Sequence, residues 1–233
     1  MPPAVHLRSA VALAGRFPAL SGVDLTVDPG EIVVVLGPNG AGKTSLLRTC
    51  AGLLAVTSGE ATVLGEDLRE DRTSIRLRVG LLGHAAPLYD ELTAGENVRF
   101  AVRAAGLPAG RADPALDRLG LVGRLRRTAV GRLSAGQRRR VALAALVARA
   151  PELWLLDEPH AGLDATARRL LAELIDEAAG TGAAVVLSSH EPDLAVPLAD
   201  RAVTMSGGRV VEERPGGRRT PLASVSPRTA DVA

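Results

Sequence analysis

Between the apolar run Ile32–Leu36 and the helix-forming stretch SLLRTCAGLL lies the segment Gly37-Pro38-Asn39-Gly40-Ala41-Gly42-Lys43-Thr44. It fits GxxxxGK[ST] in the strand-to-helix setting that pattern requires. The glycines let the backbone wrap an anion so that successive N–H groups point inward. A helix opening at Lys43 adds the positive end of its dipole at the same place. Lys43 is expected to reach the β- and γ-phosphates of a bound nucleotide, and Thr44 to offer its hydroxyl to Mg²⁺. Ser45 and the loop backbone complete the expected nucleotide-binding set. Such a unit needs a buried strand feeding a helix, and this directs the reading of the remaining chain.

Further short apolar runs occur at Val79–Leu82, Glu152–Leu156 and Ala183–Leu187. They are nearly continuous, as in strands buried on both faces. Helical spacing appears between them at Lys43–Leu53, Thr93–Ala105, Ala135–Ala150 and Ala165–Ala179. Strands alternating with helices predict an α/β fold around a mostly parallel sheet. The first thirty residues and Glu60–Leu64 read as shorter strands in an antiparallel flank. From Tyr89 to Pro151 the pattern is helical without a convincing strand. The expected organisation is one domain over 1–214, with a core of 1–88 and 151–214 and an inserted helical subdomain at 89–150. The Pro-, Gly-, Ser- and Arg-rich tail, 215–233, reads as disordered.

Leu153-Trp154-Leu155-Leu156 leads into Asp157-Glu158, two acids at the tip of an apolar strand. Buried carboxylates are costly without a cation or hydrogen-bond donors. Magnesium nucleotide supplies such a partner, so Asp157 is expected to hold Mg²⁺ and Glu158 to orient or deprotonate the attacking water. Trp154 reads as core.

Composition removes other classes. Two Phe, one Tyr and one Trp offer no stacking platform for single-stranded nucleic acid, and a net charge of +2 is no polyanion footprint. Nucleic acid is therefore not an expected partner. Cys50, the single cysteine, excludes an intrachain disulfide, suits a reducing cytoplasm and falls where inert packing is expected. No run approaches the roughly 18–20 apolar residues of a membrane span. The N-terminus lacks the pattern of a secretory signal, so a cytoplasmic location is expected.

A phosphate loop and an acidic strand tip are shared by many NTPases. The discriminating segment is Leu133-Ser134-Ala135-Gly136-Gln137, followed by RRRVALAALVARAPELWLLDEP. It resembles the signature of ABC ATPases, with alanine in place of one glycine. Ser134 is a suitable helix N-cap and Gly136 permits close approach to an anion. Ala161-Gly162-Leu163-Asp164 is similar to the family's D-loop, and Ser189-His190 to its switch histidine. The resemblance spans residues 4–213. It implies a P-loop NTPase core with inserted helical subdomain, ATP and Mg²⁺ as ligands, and catalytic roles for Glu158 and His190. It also implies that Ser134, Gly136 and Gln137 bind the nucleotide of a partner, either a second copy or another ABC ATPase. Integral membrane permease subunits are the further implied partners, placing the chain on the inner face of the membrane.

Two positions depart from the family pattern. His84 stands where a glutamine normally contributes to the Mg²⁺ site. Neutral imidazole is a poor ligand for that ion, leaving water-mediated contact or a coupling role. Phe17 is the only aromatic residue upstream of the phosphate loop, although the expected adenine slot lies nearer Ala14. Phe17 either stacks on adenine or packs locally. The Gly83-His84 pair, PLYDELTAGENVRF and the LSAGQ variant resemble the haem-exporting ATPase subunits of cytochrome c maturation (the CcmA family). An exporter ATPase for drugs, lipids or polysaccharides is the alternative, and a non-transport ABC ATPase a more remote one.

Overall fold

The computed structural model describes residues 1–83 and 87–218. The chain begins with β1 (Val5–Ala14) and β2 (Phe17–Val27), joined by a tight hairpin. These are long strands, not the short ones expected, because their alternating burial lets one face of an antiparallel sheet cover a core. β4 (Val56–Val63) and the two-residue β5 (Glu66–Asp67) complete that sheet in the order β2-β1-β4-β5.

The second sheet is built from β3 (Ile32–Leu36), β6 (Val79–Leu82), β7 (Leu153–Asp157), β8 (Ala184–Ser188), β9 (Arg201–Ser206) and β10 (Arg209–Pro215). Its order is β10-β9-β3-β8-β7-β6, parallel from β9 through β6, with β10 antiparallel at the edge. Every residue of β3, β7 and β8 is buried. Period-2 geometry then sends their side chains into two cores. Val33, Val35 and Leu155 meet the antiparallel sheet and α1 (Lys43–Cys50), while Ile32, Val34 and Leu156 meet the other helices. Each fully buried Val, Leu or Ile contributes about 1.5–3 kcal/mol. Trp154 joins the helical side of the core. Cys50 is fully buried on the other side, and burial pushes its thiol up to about 12, so it is inert packing.

Between β6 and β7 run α2 (Ala94–Ala104), α3 (Ala112–Arg118), α4 (Gly123–Arg126) and α5 (Ala135–Arg149). Thr93 and Glu96 form a reciprocal cap at the start of α2, and Ser134 and Gln137 do the same for α5. The apolar faces of these helices do not enclose a core of their own. Val98, Leu116 and Val141 belong to the same cluster as Ile32 and Leu187. Gly80 in β6 permits the close seating of α5, because a Cβ there would lie 2.2 Å from Leu146 Cδ1. α6 (Ala165–Gly180), capped by Asp164, covers the same face of the parallel sheet, and the short α7 (Pro192–Ala195) follows β8.

Pro215 closes β10, and Gly216, Gly217 and Arg218 donate backbone hydrogen bonds to Asp200, Val196 and Ala199. Arg218 also pairs with Asp176 and Asp200. The expected structureless tail therefore does not begin at Pro215, because these residues have their own partners. Residues 219–233 lie outside the described residues. Among the described residues no helix is long and apolar enough to cross a membrane.

Candidate functional site

The carboxyl ends of β3, β8 and β7 lie side by side, where ligands bind open parallel sheets. From β3 the chain enters the glycine-rich loop with Gly37 at φ +139. A Cβ on Gly37 would lie 2.3 Å from the Met205 carbonyl oxygen, so the loop can follow this path only with glycine there. The loop then enters α1 at Lys43, with left-handed Gly42 at the helix start and its N-terminal N–H groups facing the cleft.

Lys43 is buried, and its Nζ donates to the carbonyls of Gly37 and Pro38 at 2.7 and 3.2 Å. It also stands 3.9 Å from Glu158 Oε1. Thr44 Oγ1 donates to Asp157, at 2.9 Å from Oδ2 and 3.2 Å from Oδ1. Asp157 is 7% exposed. Its other contact is Ser188 Oγ, which donates to Oδ1 at 2.6 Å. The same hydroxyl accepts the N–H of Glu158 at 3.0 Å. This double contact follows from register, since Asp157 and Ser188 are cross-strand partners in β7 and β8.

Glu158 adopts φ +48, a left-handed conformation uncommon for a residue with a side chain. Its carboxylate lies 2.8 Å from His190 Nδ1 through Oε2, which also accepts the His190 backbone N–H at 3.3 Å. Two residues on from Glu158, His160 is buried, and its Nδ1 has no partner among the described residues. Burial and then the charge of Arg168 hold its imidazole below the usual histidine range.

Asn39, Gly40, Ala41, Lys43, Asp157 and Glu158 line a cleft of about 590 Å³. Thr44 and Ser45 lie in the same cleft, and His190 joins through Glu158. Among the described residues no group of three His, Cys, Asp or Glu side chains could hold a metal ion. One hydroxyl and one carboxylate in contact instead suit Mg²⁺, which binds through one or two protein oxygens plus phosphate and water. The expected metal residue His84 lies outside the described residues.

Ser134, Gly136 and Gln137 are not brought into this cleft. Ser134 and Gly136 are exposed, and the polar groups of Ser134 and Gln137 satisfy one another at 3.0 and 3.3 Å. Phe17 is 79% exposed and so is not packed locally. It pairs across the hairpin with Ala14, and its neighbour Pro18 lines the cleft.

Sequence reasoning missed the rest of the wall. Ala19 and Ser21 come from β2, and Gly207 and Gly208 from the β9–β10 turn. Only long-range packing places them there, with Ser21 N–H bonded to the Gly208 carbonyl and Gly208 N–H to that of Ala41. Ser188 was also missed, its only signal being a hydroxyl at the end of an apolar strand. Within the arginine run, Arg138 pairs with Asp90, whereas Arg139 reaches the carbonyls of Glu158 and Asp157.

The arrangement can seat a triphosphate on loop N–H groups and Lys43, beside a carboxylate poised for a water. Comparisons with known proteins agree. Residues 20–161 match the ABC transporter family. The cytochrome c biogenesis ATP-binding export protein CcmA of Bordetella bronchiseptica is 45% identical over 188 residues, 79% of this chain and 83% of that protein. The daunorubicin resistance ATP-binding protein DrrA3 of Streptomyces coeruleorubidus is 39% identical over 90% of this chain and 67% of its own length. Among solved structures, the dimeric post-hydrolysis state of the ATP-binding cassette MJ0796 bound to ADP and Pi superposes with a TM-score of 0.81. It is 28% identical, with 93% of this chain and 100% of that one covered. The chain belongs to the ABC transporter family and is the ATP-binding, ATP-hydrolysing subunit of such a transporter.

Proposed function

We propose that this ATPase drives a separate membrane permease that exports haem for cytochrome c maturation. It works as one half of a dimer, with a second copy or another ABC ATPase, that encloses two ATP molecules. The observation that carries the dimer is at Gly136. This residue lies in the first turn of α5, two positions past the N-cap Ser134, where glycine brings no helix-forming advantage. A Cβ there would meet nothing within 4 Å, so nothing among the described residues calls for glycine. The need is met by a partner's nucleotide approaching the start of α5, where Ser134, Gly136 and Gln137 present the helix end to the γ-phosphate.

Within each chain, the loop residues Gly37–Gly42, with Ser45, cradle the phosphates. Lys43 leaves the Gly37 and Pro38 carbonyls for the β- and γ-phosphate oxygens. Thr44 and Asp157 would hold Mg²⁺, which would supply charge neutralisation for the phosphates. Glu158 accepts a proton as the water oxygen bonds to the γ-phosphorus and the bond to the β-phosphate oxygen breaks. His190 holds Glu158 and faces the γ-phosphate. Phe17, exposed and next in the chain to the cleft-lining Pro18, stacks on adenine. Neither half is complete alone, so ATP-bound closure transmits force and loss of the γ-phosphate reopens the pair.

The permease docks beside α2. There Tyr89 and Phe100 stack edge to face with ring centres 5.0 Å apart, yet each is about half exposed. A groove between Leu81, Pro87, Ala142 and Arg149 adjoins them. His84 serves as a coupling residue between ATP binding and the permease. This attachment makes the chain peripheral on the cytoplasmic face of the membrane.

Haem as cargo is supported by the CcmA relatives, including that of Nitrosomonas europaea at 39% identity. Export of a drug-like molecule is the second reading, favoured by DrrA3 matching a larger share of this chain. The test is capture of tagged Glu158→Gln from detergent-solubilised native membranes with ATP present, followed by mass spectrometry. A multi-spanning cytochrome c maturation permease supports haem. A permease of another type removes haem and keeps the transporter. Soluble partners alone remove the permease reading altogether.

A further inference from the structure

Arg139 lies five residues past the N-cap Ser134, within α5. Its Nη2 donates to the Glu158 carbonyl at 3.0 Å and reaches that of Asp157 at 3.5 Å. It makes no salt bridge among the described residues, and its buried Nε has no partner. Desolvation accordingly lowers its pKa from the ordinary arginine value. An ordinary surface arginine avoids that cost, as its neighbour Arg138 does by pairing with Asp90. The main direct contacts of this costly cation are therefore with the backbone of the two site acids.

The Glu158 peptide is held on both sides. Ser188 takes its N–H, while Arg139 and the Ala161 N–H share its carbonyl. This clamp keeps a residue with a side chain at φ +48. Two of the three holds come from the same sheet and turn, whereas Arg139 comes from the helix that begins at Ser134.

We infer that Arg139 is a positioning residue that links the two nucleotide sites of the dimer, relaying the seating of α5 on one ATP to the glutamate acting on the other. The inference rests on the proposed roles of Glu158 and of the Ser134–Gln137 helix end. α5 is a fifteen-residue helix with a reciprocal cap, so a displacement at its start is carried to Arg139 one turn later. The peptide that moves with Arg139 is the one carrying the carboxylate.

The test uses the full chain with Arg139→Ala and Arg139→Lys, the latter keeping stem and charge but not the forked donor. ATP affinity is expected to stay within about twofold, while kcat falls about tenfold in the alanine variant as the carboxylate loses its aim. The Hill coefficient for ATP falls toward one. Arg139 borders a cavity of about 210 Å³ shared with Leu143, Pro159 and Leu163, so added guanidinium below denaturing concentrations should re-enter and restore turnover. Lysine restores it partly, and covers the case in which alanine does not fold. Unchanged kcat and Hill coefficient in the folded variants overturn the inference, as does a loss that neither guanidinium nor lysine restores. Glu158→Gln serves as the parallel control. If it keeps wild-type turnover, the reading of Glu158 fails, whereas its inactivity beside an unaffected Arg139→Ala removes this inference alone.

Discussion

The phosphate cleft and the start of α5 carry equally clear motifs and are built in opposite ways. In the cleft, Thr44, Asp157, Ser188, Glu158 and His190 form a connected chain of hydrogen bonds within one molecule. At the start of α5, Ser134 and Gln137 satisfy only each other, and Gly136 faces open space. The first region is pre-organised because neighbouring strands present their ends together. The second is a finished helix cap whose exposed face has no use inside the chain. A motif can thus be built into contacts within its own chain or left exposed by it, and the geometry around it distinguishes the two.

The sharpest way to break this contrast is Glu158→Gln. Removing the proposed base at a pre-organised site should lower phosphate release about 10²–10⁴-fold while ATP still binds. The variant should elute as an ATP-bound dimer in size-exclusion chromatography. Wild-type turnover by this variant would take Glu158 out of the mechanism.

Gly136→Asp probes the other region. Since a side chain there meets nothing within the chain, thermal stability should remain close to wild type. In the proposed dimer a carboxylate there would face the partner's phosphate, and it should nevertheless cut turnover about a hundredfold, with single-chain nucleotide affinity unchanged. A parallel fall in affinity and stability would mean that the helix start serves its own chain.

Ser188→Ala tests whether the cleft is held by its hydroxyl bridge. The change strands the Glu158 N–H and leaves Asp157 Oδ1 only the 3.2 Å contact from Thr44, for a cost of about 1–3 kcal/mol in chemical denaturation. Turnover should fall about tenfold, through looser aim of the carboxylate.

The smallest effect is expected at His160. Its folded pKa is depressed by burial and then by Arg168, while Glu191 and Glu158 oppose the shift. Below about pH 6.5 the unfolded chain takes up a proton that the folded one resists. The stability is therefore complete above that pH and is lost as the pH falls toward the folded value. His160→Asn should flatten the slope of Tm against pH over that window, and an unchanged slope would assign the acid sensitivity elsewhere.

Much of the fold was legible because buried strands and capped helices have local signatures. The run Ile32–Leu36 is a strand as its unbroken apolar character requires, and Ser134 caps a helix as its residue type suggests. The length of β1 and β2 was less legible, since their alternating burial depends on which face meets the second sheet. The end of the chain was misread at Pro215 because Arg218 finds Asp176 and Asp200 only once α6 and β9 are in place. Phe17 could be listed as a candidate, but its exposure follows from a hairpin that local composition does not reveal.

By itself the sequence determined the family, the phosphate loop and the acidic strand tip. These depend on residue type and spacing over a few consecutive positions, where glycine conformations, strand burial and helix capping are local. Only the tertiary structure decided that Ser188 bridges Asp157 to Glu158, that Arg139 grips the backbone of both acids, and that a side chain at Gly136 would meet none of the described residues. Those contacts join residues far apart in the chain, and their geometry is set by strand register and helix seating that emerge only when the sheets close.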